Sequence, residues 1–251
     1  NAANVETGVT VNGMAAVLNN NQFVVNNVPL NAGQNTITVT ATDVNGTTAS
    51  KSITVNVTIP ENFITLSAYP ESGTAPLEVT LRINGTFSVA NPVITSTGPG
   101  IVEQIASTNL DEFKYKMTIE GVYYFTAQVI GPNGITYQDT KAVTVIPLAQ
   151  VDALLRAKWS AFKTALNNQD IDSAVLNFAI GSQNTYRSLY TDLKPLLQNI
   201  CAELNTTHIN YISVKDNKAI YEIIVSRNNI TYSFQLEFVK DTDGLWKILK
   251  F

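Results

Sequence analysis

The 251-residue chain has a single cysteine, Cys201, and a single histidine, His208. One cysteine excludes an intrachain disulfide, so stability has to come from packed cores rather than staples. One histidine and one cysteine are too few for a zinc site, which takes about three or four ligands at close spacing. Charge is scarce too: Asp, Glu, Lys and Arg make up 14% of the chain, against roughly 25% in ordinary globular proteins. The net charge is −4 and Lys and Arg nowhere cluster, which excludes the counterion-displacing footprint of a nucleic-acid binder. No apolar run approaches the ~18 residues of a membrane span, so no transmembrane segment is expected in this stretch.

What is present suits cores and strands. The hydrophobic fraction is 45%, enough for real interiors, and the length allows about two or three domains of roughly 100 residues. With so little charge, the polar surface falls to Asn, Thr, Ser and Gln, a composition that fits extracellular β-domains. The chain opens at Asn1 without a Met, in the manner of a segment from within a longer protein; the lack of a signal peptide is then uninformative. Five Asn-x-Ser/Thr triplets, at Asn45, Asn56, Asn84, Asn205 and Asn229, read as by-products of Asn and Thr richness.

The stretch Thr140–Leu155 divides the chain. Before Pro147 the apolar residues alternate, with Val143 and Val145 on one face; after it Leu148, Val151 and Leu155 recur at helical spacing. Upstream, NTITVTATD (Asn35–Asp43) is the clearest strand, with Ile37, Val39 and Ala41 on one face and threonines on the other. Asn45-Gly46 then signals a hairpin, both residues tolerating positive φ, and Ala49–Val57 returns. Ile59-Pro60-Glu61-Asn62 reads as a linker. Strands at regular short spacing predict a β-sandwich on either side of it.

Downstream of Pro147, Leu148, Val151, Leu155, Trp159, Phe162 and Leu166 form one helix face. Asp170 suits an N-cap for a short helix carrying Ile171, Ala174, Val175 and Phe178. Pro195 opens another with Leu197, Ile200, Cys201 and Leu204. Strands are expected at His208–Val214, Ala219–Arg227, Ile230–Lys240 and Leu245–Phe251, with turns at Asp216-Asn217, Asn228-Asn229 and Asp243-Gly244.

Three resemblances accompany this reading. VTVNG (Val9–Gly13), Phe23, VPL (Val28–Leu30) and above all GQNTITVTATDVNG (Gly33–Gly46) resemble bacterial Ig-like domains of the glucodextranase domain-B type. SAYPESGTAPLEVTLRING (Ser67–Gly85), EGVYYFTAQVIGPNG (Glu120–Gly134) and AVTV (Ala142–Val145) resemble a PKD domain, although PVITSTGPG (Pro92–Gly100) replaces that family's Trp-Asp-Phe-Gly-Asp-Gly stretch. FVKDTDGLWKILKF (Phe238–Phe251), following helices in this order, resembles the nuclear-transport-factor-2-like (SnoaL-like) fold. Together they imply a multidomain chain: two all-β Ig-like sandwiches at 1–59 and 62–146, the first with its opening strand missing or cut short, then an α+β domain at 147–251 with helices packed on a curved antiparallel sheet.

Candidate chemistry is sparse. On the strand Ile230–Lys240, Tyr232, Phe234, Leu236 and Phe238 should face the cone between sheet and helices, and Glu237 should face solvent. Glu222 lies on the face opposite Tyr221. No carboxylate is placed where an apolar site would tune it for proton transfer. His208 lacks a visible orienting partner, and Cys201 falls on an apolar helix face with Leu197 and Leu204, as a buried thiol does. Asp170-Ile171-Asp172 and Asp241-Thr242-Asp243-Gly244 fit a helix start and a hairpin turn; neither continues to the bidentate Glu of an EF-hand, and Asp43 marks the one β-loop where a weak calcium site is conceivable. Trp159, Tyr221, Tyr232, Phe234 and Trp246 are the candidate lining of a ligand pocket, with a filled core as the rival reading.

The sequence therefore predicts no catalytic residue, no metal and no cofactor. It points to a spacer and interaction region of a larger bacterial protein, secreted or at the cell surface, with a protein or glycan as partner. The alternatives are a carbohydrate-binding accessory module, which the glucodextranase resemblance suggests, and small-molecule binding or catalysis in the C-terminal cone.

Overall fold

The computed structural model describes residues 6–227 and 230–251. The expected Asn228-Asn229 turn and the Asn229 triplet lie outside the described residues. The strands are β1 (Thr7–Val11), β2 (Met14–Ala15), β3 (Val17–Asn19), β4 (Gln22–Val24), β5 (Gly33–Asp43), β6 (Thr48–Val57), β7 (Ile64–Tyr69), β8 (Ser72–Thr74), β9 (Leu77–Gly85), β10 (Val93–Thr97), β11 (Val102–Ile105), β12 (Phe113–Met117), β13 (Gly121–Ile130), β14 (Thr136–Ile146), β15 (His208–Lys215), β16 (Lys218–Arg227), β17 (Ile230–Lys240) and β18 (Trp246–Lys250). The helices are α1 (Leu148–Asn167), α2 (Ile171–Val175), α3 (Gln183–Asp192) and α4 (Leu197–Asn205).

Contacts group the chain into two compact units: Ala16–Val39 with Lys51–Leu148, and Asn1–Ala15 with Thr40–Ser50 and Ala149–Phe251. In the first, β11-β12-β9-β7 form one sheet, while β13 pairs antiparallel with β10 and β14, and β14 runs parallel to β8. Strict alternation builds the interior between these layers: Ile64, Leu66 and Ala68 of β7, Leu77, Val79 and Leu81 of β9, and Tyr123, Phe125, Ala127 and Val129 of β13 are buried together. Tyr123 is fully buried, and its hydroxyl donates to the carbonyl of Ile119 four residues upstream at 2.8 Å. That bond closes the corner from which β13 starts, in the manner of the tyrosine corner of Ig-type sandwiches. Asp139 of β14 accepts the amide of Leu66 through its carboxylate, tying β7 to the neighbouring layer at 2.6 Å.

In the second unit α1 lays Val151, Leu155, Trp159, Phe162 and Leu166 against the antiparallel run β15-β16-β17-β18. The sheet answers with Ala219, Tyr221 and Ile223 of β16, Leu236 and Phe238 of β17, and Ile248 of β18. Asp170 caps α2 by accepting the amide of Ser173 at 3.0 Å, as its position after α1 predicts. The helix α3 is an addition to the expected set. QNTYRSLYTD has too few apolar residues to show a face, and Tyr190 is its one buried side chain.

Glu6, just before β1, completes a deeply buried ion pair. Lys158 of α1 meets Glu6 at 2.6 Å with both side chains over nine-tenths buried, and the other Glu6 oxygen accepts the Trp246 amide at 2.8 Å. Gly8 makes this seat possible, since a β-carbon on it would lie 2.2 Å from the carbonyl oxygen of Asp243.

The hairpin β5–β6 turns through Val44–Thr47. Gly46 takes the left-handed conformation at φ 81°, and its amide donates to the Asp43 carbonyl. Asn45 keeps negative φ, so this is a three-residue loop with a glycine bulge rather than the two-residue mirror-image turn. The latter occurs at Asn12-Gly13, both at positive φ, between β1 and β2.

Candidate functional site

The sheet–helix cone of the C-terminal unit has a filled base and an open mouth. At the base, the Tyr221 hydroxyl donates to Asp152 at 2.9 Å. Arg156, one helical turn on, donates from Nε to both Asp152 oxygens and from Nη1 to the Ile209 carbonyl. Its guanidinium lies 5.7 Å from the Tyr221 ring centre. Burial, and then the Asp152 carboxylate, push the Tyr221 hydroxyl far above its ordinary range, so it stays protonated as a donor. This is a closed structural network with every partner taken, not a poised acid.

Around it the core is aromatic. Trp159 packs 5.2 Å from Phe162 and edge-on to Phe251 at 5.0 Å, and Phe178, Tyr186 and Tyr190 continue the cluster. The ring nitrogen of Trp159 and the hydroxyl of Tyr190 are buried in it without a hydrogen-bond partner. Trp246 is buried at the start of β18 beneath the Lys240 ammonium, 5.7 Å from its ring centre.

Past the aromatic cluster β17 runs on beyond its pairing with β18, which stops at Glu237. A cavity of about 260 Å³ opens there, walled by Ile200 and Leu204 of α4, Ile223 and Val225 of β16, Phe234 of β17 and Phe251, with Glu203 and Thr207 as its polar lining. Of the five candidate pocket residues, Phe234 alone lines it. Trp159, Tyr221 and Trp246 are core residues elsewhere in the unit, and Tyr232 stands 43% exposed farther out along β17. The expected inward face of β17 is therefore half filled. Leu236 and Phe238 are fully buried, but Phe234 is 54% exposed: alternation sets the face, and β18, which pairs with Phe238, does not reach Phe234.

Glu237 departs from expectation on the opposite face. It is 3% exposed instead of solvated, flanked by Lys218 of β16 at 2.6 Å and Lys250 of β18 at 3.1 Å. Burial pushes its pKa up, but the two ammonium groups outweigh burial and hold it below the usual carboxylate range. A strand read alone cannot show that both neighbours place lysines beside the acid. Asp152 was likewise missed; the one sequence trace of its role is the Asp152–Arg156 spacing of four on a helix.

The remaining candidates have ordinary places. His208 is exposed at the start of β15. Cys201 is fully buried, its thiol pushed up by burial and 3.7 Å from the Lys163 carbonyl. Asp241–Leu245 is a hairpin turn in which the Gly244 amide donates to Asp241 and the Asp243 carboxylate accepts the Leu245 amide. Asp43 accepts the amides of Asn45 and Thr47, which hold its carboxyl low. Among the described residues no three Asp, Glu, His or Cys side chains converge as metal ligands. Nor, among them, is any helix long and apolar enough to cross a membrane.

No family model matches the chain, and no curated protein does. Among solved structures it is similar to extracellular cadherin domains 1–4 of protocadherin gamma B7, at 18% identity and a TM-score of 0.25, over 45% of this chain. The likeness spans 32% of that chain, about a third of its length, and is too slight to carry an argument about fold or function.

Proposed function

We propose that this chain is a non-catalytic interaction region of a larger bacterial surface or secreted protein, and that its C-terminal unit binds an apolar group without transforming it. The observation that carries this reading is the cavity at Phe234: six apolar walls, with Glu203 exposed at the rim and no histidine, cysteine or lysine in the lining. A small apolar concavity with few polar groups holds and orients a ligand. The polar residues deeper in the cone, Tyr221, Asp152 and Arg156, are spent on one another.

The finer assignments belong to the same proposal. The corner bond of Tyr123 supports an Ig-type, PKD-like sandwich around residues 62–146. Helices on one face of a four-stranded antiparallel run support a nuclear-transport-factor-2-like unit from residue 147 onward. These are analogies of fold, and fold alone does not assign a ligand.

Titrating the 251-residue chain with the neutral fluorophore N-phenyl-1-naphthylamine tests the reading. Saturable binding of one probe per chain is expected, weakened at least several-fold by Phe234→Ala and abolished by Leu204→Arg. Absence of saturable binding, or binding indifferent to both changes, overturns it. A glycan-array signal indifferent to both changes would replace it with the carbohydrate-binding alternative.

A further inference from the structure

Among the described residues the strand β6 ends its sheet, whose order is β2-β1-β5-β6. It is ten residues long, and seven of them in succession, Thr48–Thr54, are exposed. The hairpin geometry shows which backbone groups face outward. The Asp43 amide bonds the Thr47 carbonyl, so these residues oppose each other at a hydrogen-bonded site. Counting back along the ribbon, hydrogen-bonded and non-hydrogen-bonded pairs alternate. Thr40 with Ser50 and Thr38 with Ser52 then fall at non-hydrogen-bonded sites, where side chains approach most closely; both hydroxyl pairs meet at 2.8 Å, as that register requires. The odd residues of β6 therefore bond to β5. The N–H and C=O groups of Ser50, Ser52, Thr54 and Asn56 point away from the sheet.

Natural edges are usually blunted by charge, proline or a bulge. TASKSITVNV contains one charge, Lys51, and no proline. Its apolar face carries Ile53, a large hydrophobic left 56% exposed.

We propose that β6 is a self-pairing edge: two copies of this chain join β6 to β6, antiparallel, about a twofold axis at Ile53. The outward parity restricts an antiparallel self-pairing to registers that match even residues with even ones. In the register centred on Ile53, Ser52 opposes Thr54 of the second copy and Ser50 opposes Asn56. Each of these pairs occurs twice by symmetry, giving about eight backbone hydrogen bonds. Ile53 meets its own counterpart at a non-hydrogen-bonded site, with Cα atoms about 4.5 Å apart, where apolar side chains cover each other best. Lys51 lands opposite Val55, so no ammonium faces another. Three neighbouring registers also keep this parity: one centred on Lys51 opposes two lysines, one centred on Ser52 sets Lys51 against Ile53, and one centred on Thr54 leaves Ser50 opposite Thr58, beyond the end of β6, so the Ile53 register is favoured. A second copy fits this edge better than an acidic peptide does, because one lysine is all the charge the edge offers. The pairing is independent of the Phe234 cavity and of any ligand there.

Sedimentation equilibrium of the 251-residue chain from about 1 μM to about 1 mM, the range of weak association, provides the test. The mass should rise from 27.3 kDa toward twice that value. Thr54→Pro, which deletes one outward N–H at a position where an edge tolerates proline, should hold the chain monomeric. Ile53→Lys, placing two ammonium groups at the axis, should do the same, and unchanged circular dichroism of either variant confirms the fold. Ile53→Cys should form an intermolecular disulfide on mild oxidation, and the buried Cys201 should not compete. A monomer throughout the range, or a dimer that survives both Thr54→Pro and Ile53→Lys, overturns the proposal.

Discussion

Gly98 lies flat against the ring of Tyr123, so close that a β-carbon on it would stand 2.3 Å from Cδ1. The ring has little room to retreat, because its hydroxyl is bonded to the Ile119 carbonyl and the side chain is itself fully buried. The Gly98-Pro99-Gly100 segment is thus the lid over that corner. Gly121, at φ 141°, packs in turn against Pro99.

Gly98→Ala should accordingly destabilise the chain by about 1–3 kcal/mol, the cost of overpacking a closed core. Tyr123→Phe should cost about 1–2 kcal/mol, since it leaves the Ile119 carbonyl without its donor. Urea melts followed by tyrosine and tryptophan fluorescence measure both. A neutral Gly98→Ala would mean that the ring and the loop can part.

Much of this was legible one strand at a time. Alternation places Val143 and Val145 on one face, and the structure buries both. The helical face of α1 from Val151 to Leu166 is buried as its spacing requires. What the sequence does not carry is the identity of the neighbour. Glu6 and Lys158 stand 152 positions apart yet form one ion pair, and no periodicity marks such a partner. Glu237 reads as solvated until strands on both sides bring their lysines to it. Phe234 and Phe238 have the same parity on one strand, but β18 pairs with Phe238 and stops short of Phe234.

That separation predicts unequal costs. Phe238→Ala removes a fully buried ring packed on Tyr221 at 5.7 Å and should cost about 3–5 kcal/mol. Phe234→Ala takes away a ring already half in water and should cost less than about 1.5 kcal/mol, below the usual penalty for emptying a core. Denaturant melts of the two variants side by side give the comparison. Equal losses would mean that the mouth of the cone is packed in solution and that the cavity is closed.

Lys240 sets a pH dependence. Burial pulls its ammonium down to about 8, against the opposing pull of the Glu6 carboxylate, whereas an unfolded lysine titrates near 10.4. Between these values the unfolded chain holds a proton that the folded chain has released, so Lys240 makes stability rise with pH across this window. The contribution is complete above the unfolded pKa and disappears as pH falls through the folded one. From pH 7 to pH 9 the gain is roughly 1.3 kcal/mol. Lys247 shifts in the same direction, again through burial first. Cys201, its thiol raised by burial, works the other way once the unfolded thiol ionises, so the wild-type curve alone mixes opposing signs. Lys240→Met isolates the one group, because every other titration cancels in the difference between variant and wild type. The stability advantage of the variant over wild type should shrink by roughly 1.3 kcal/mol between pH 7 and pH 9. If that difference stays flat, Lys240 keeps its proton in the folded chain and its ammonium is solvated rather than held over the Trp246 ring.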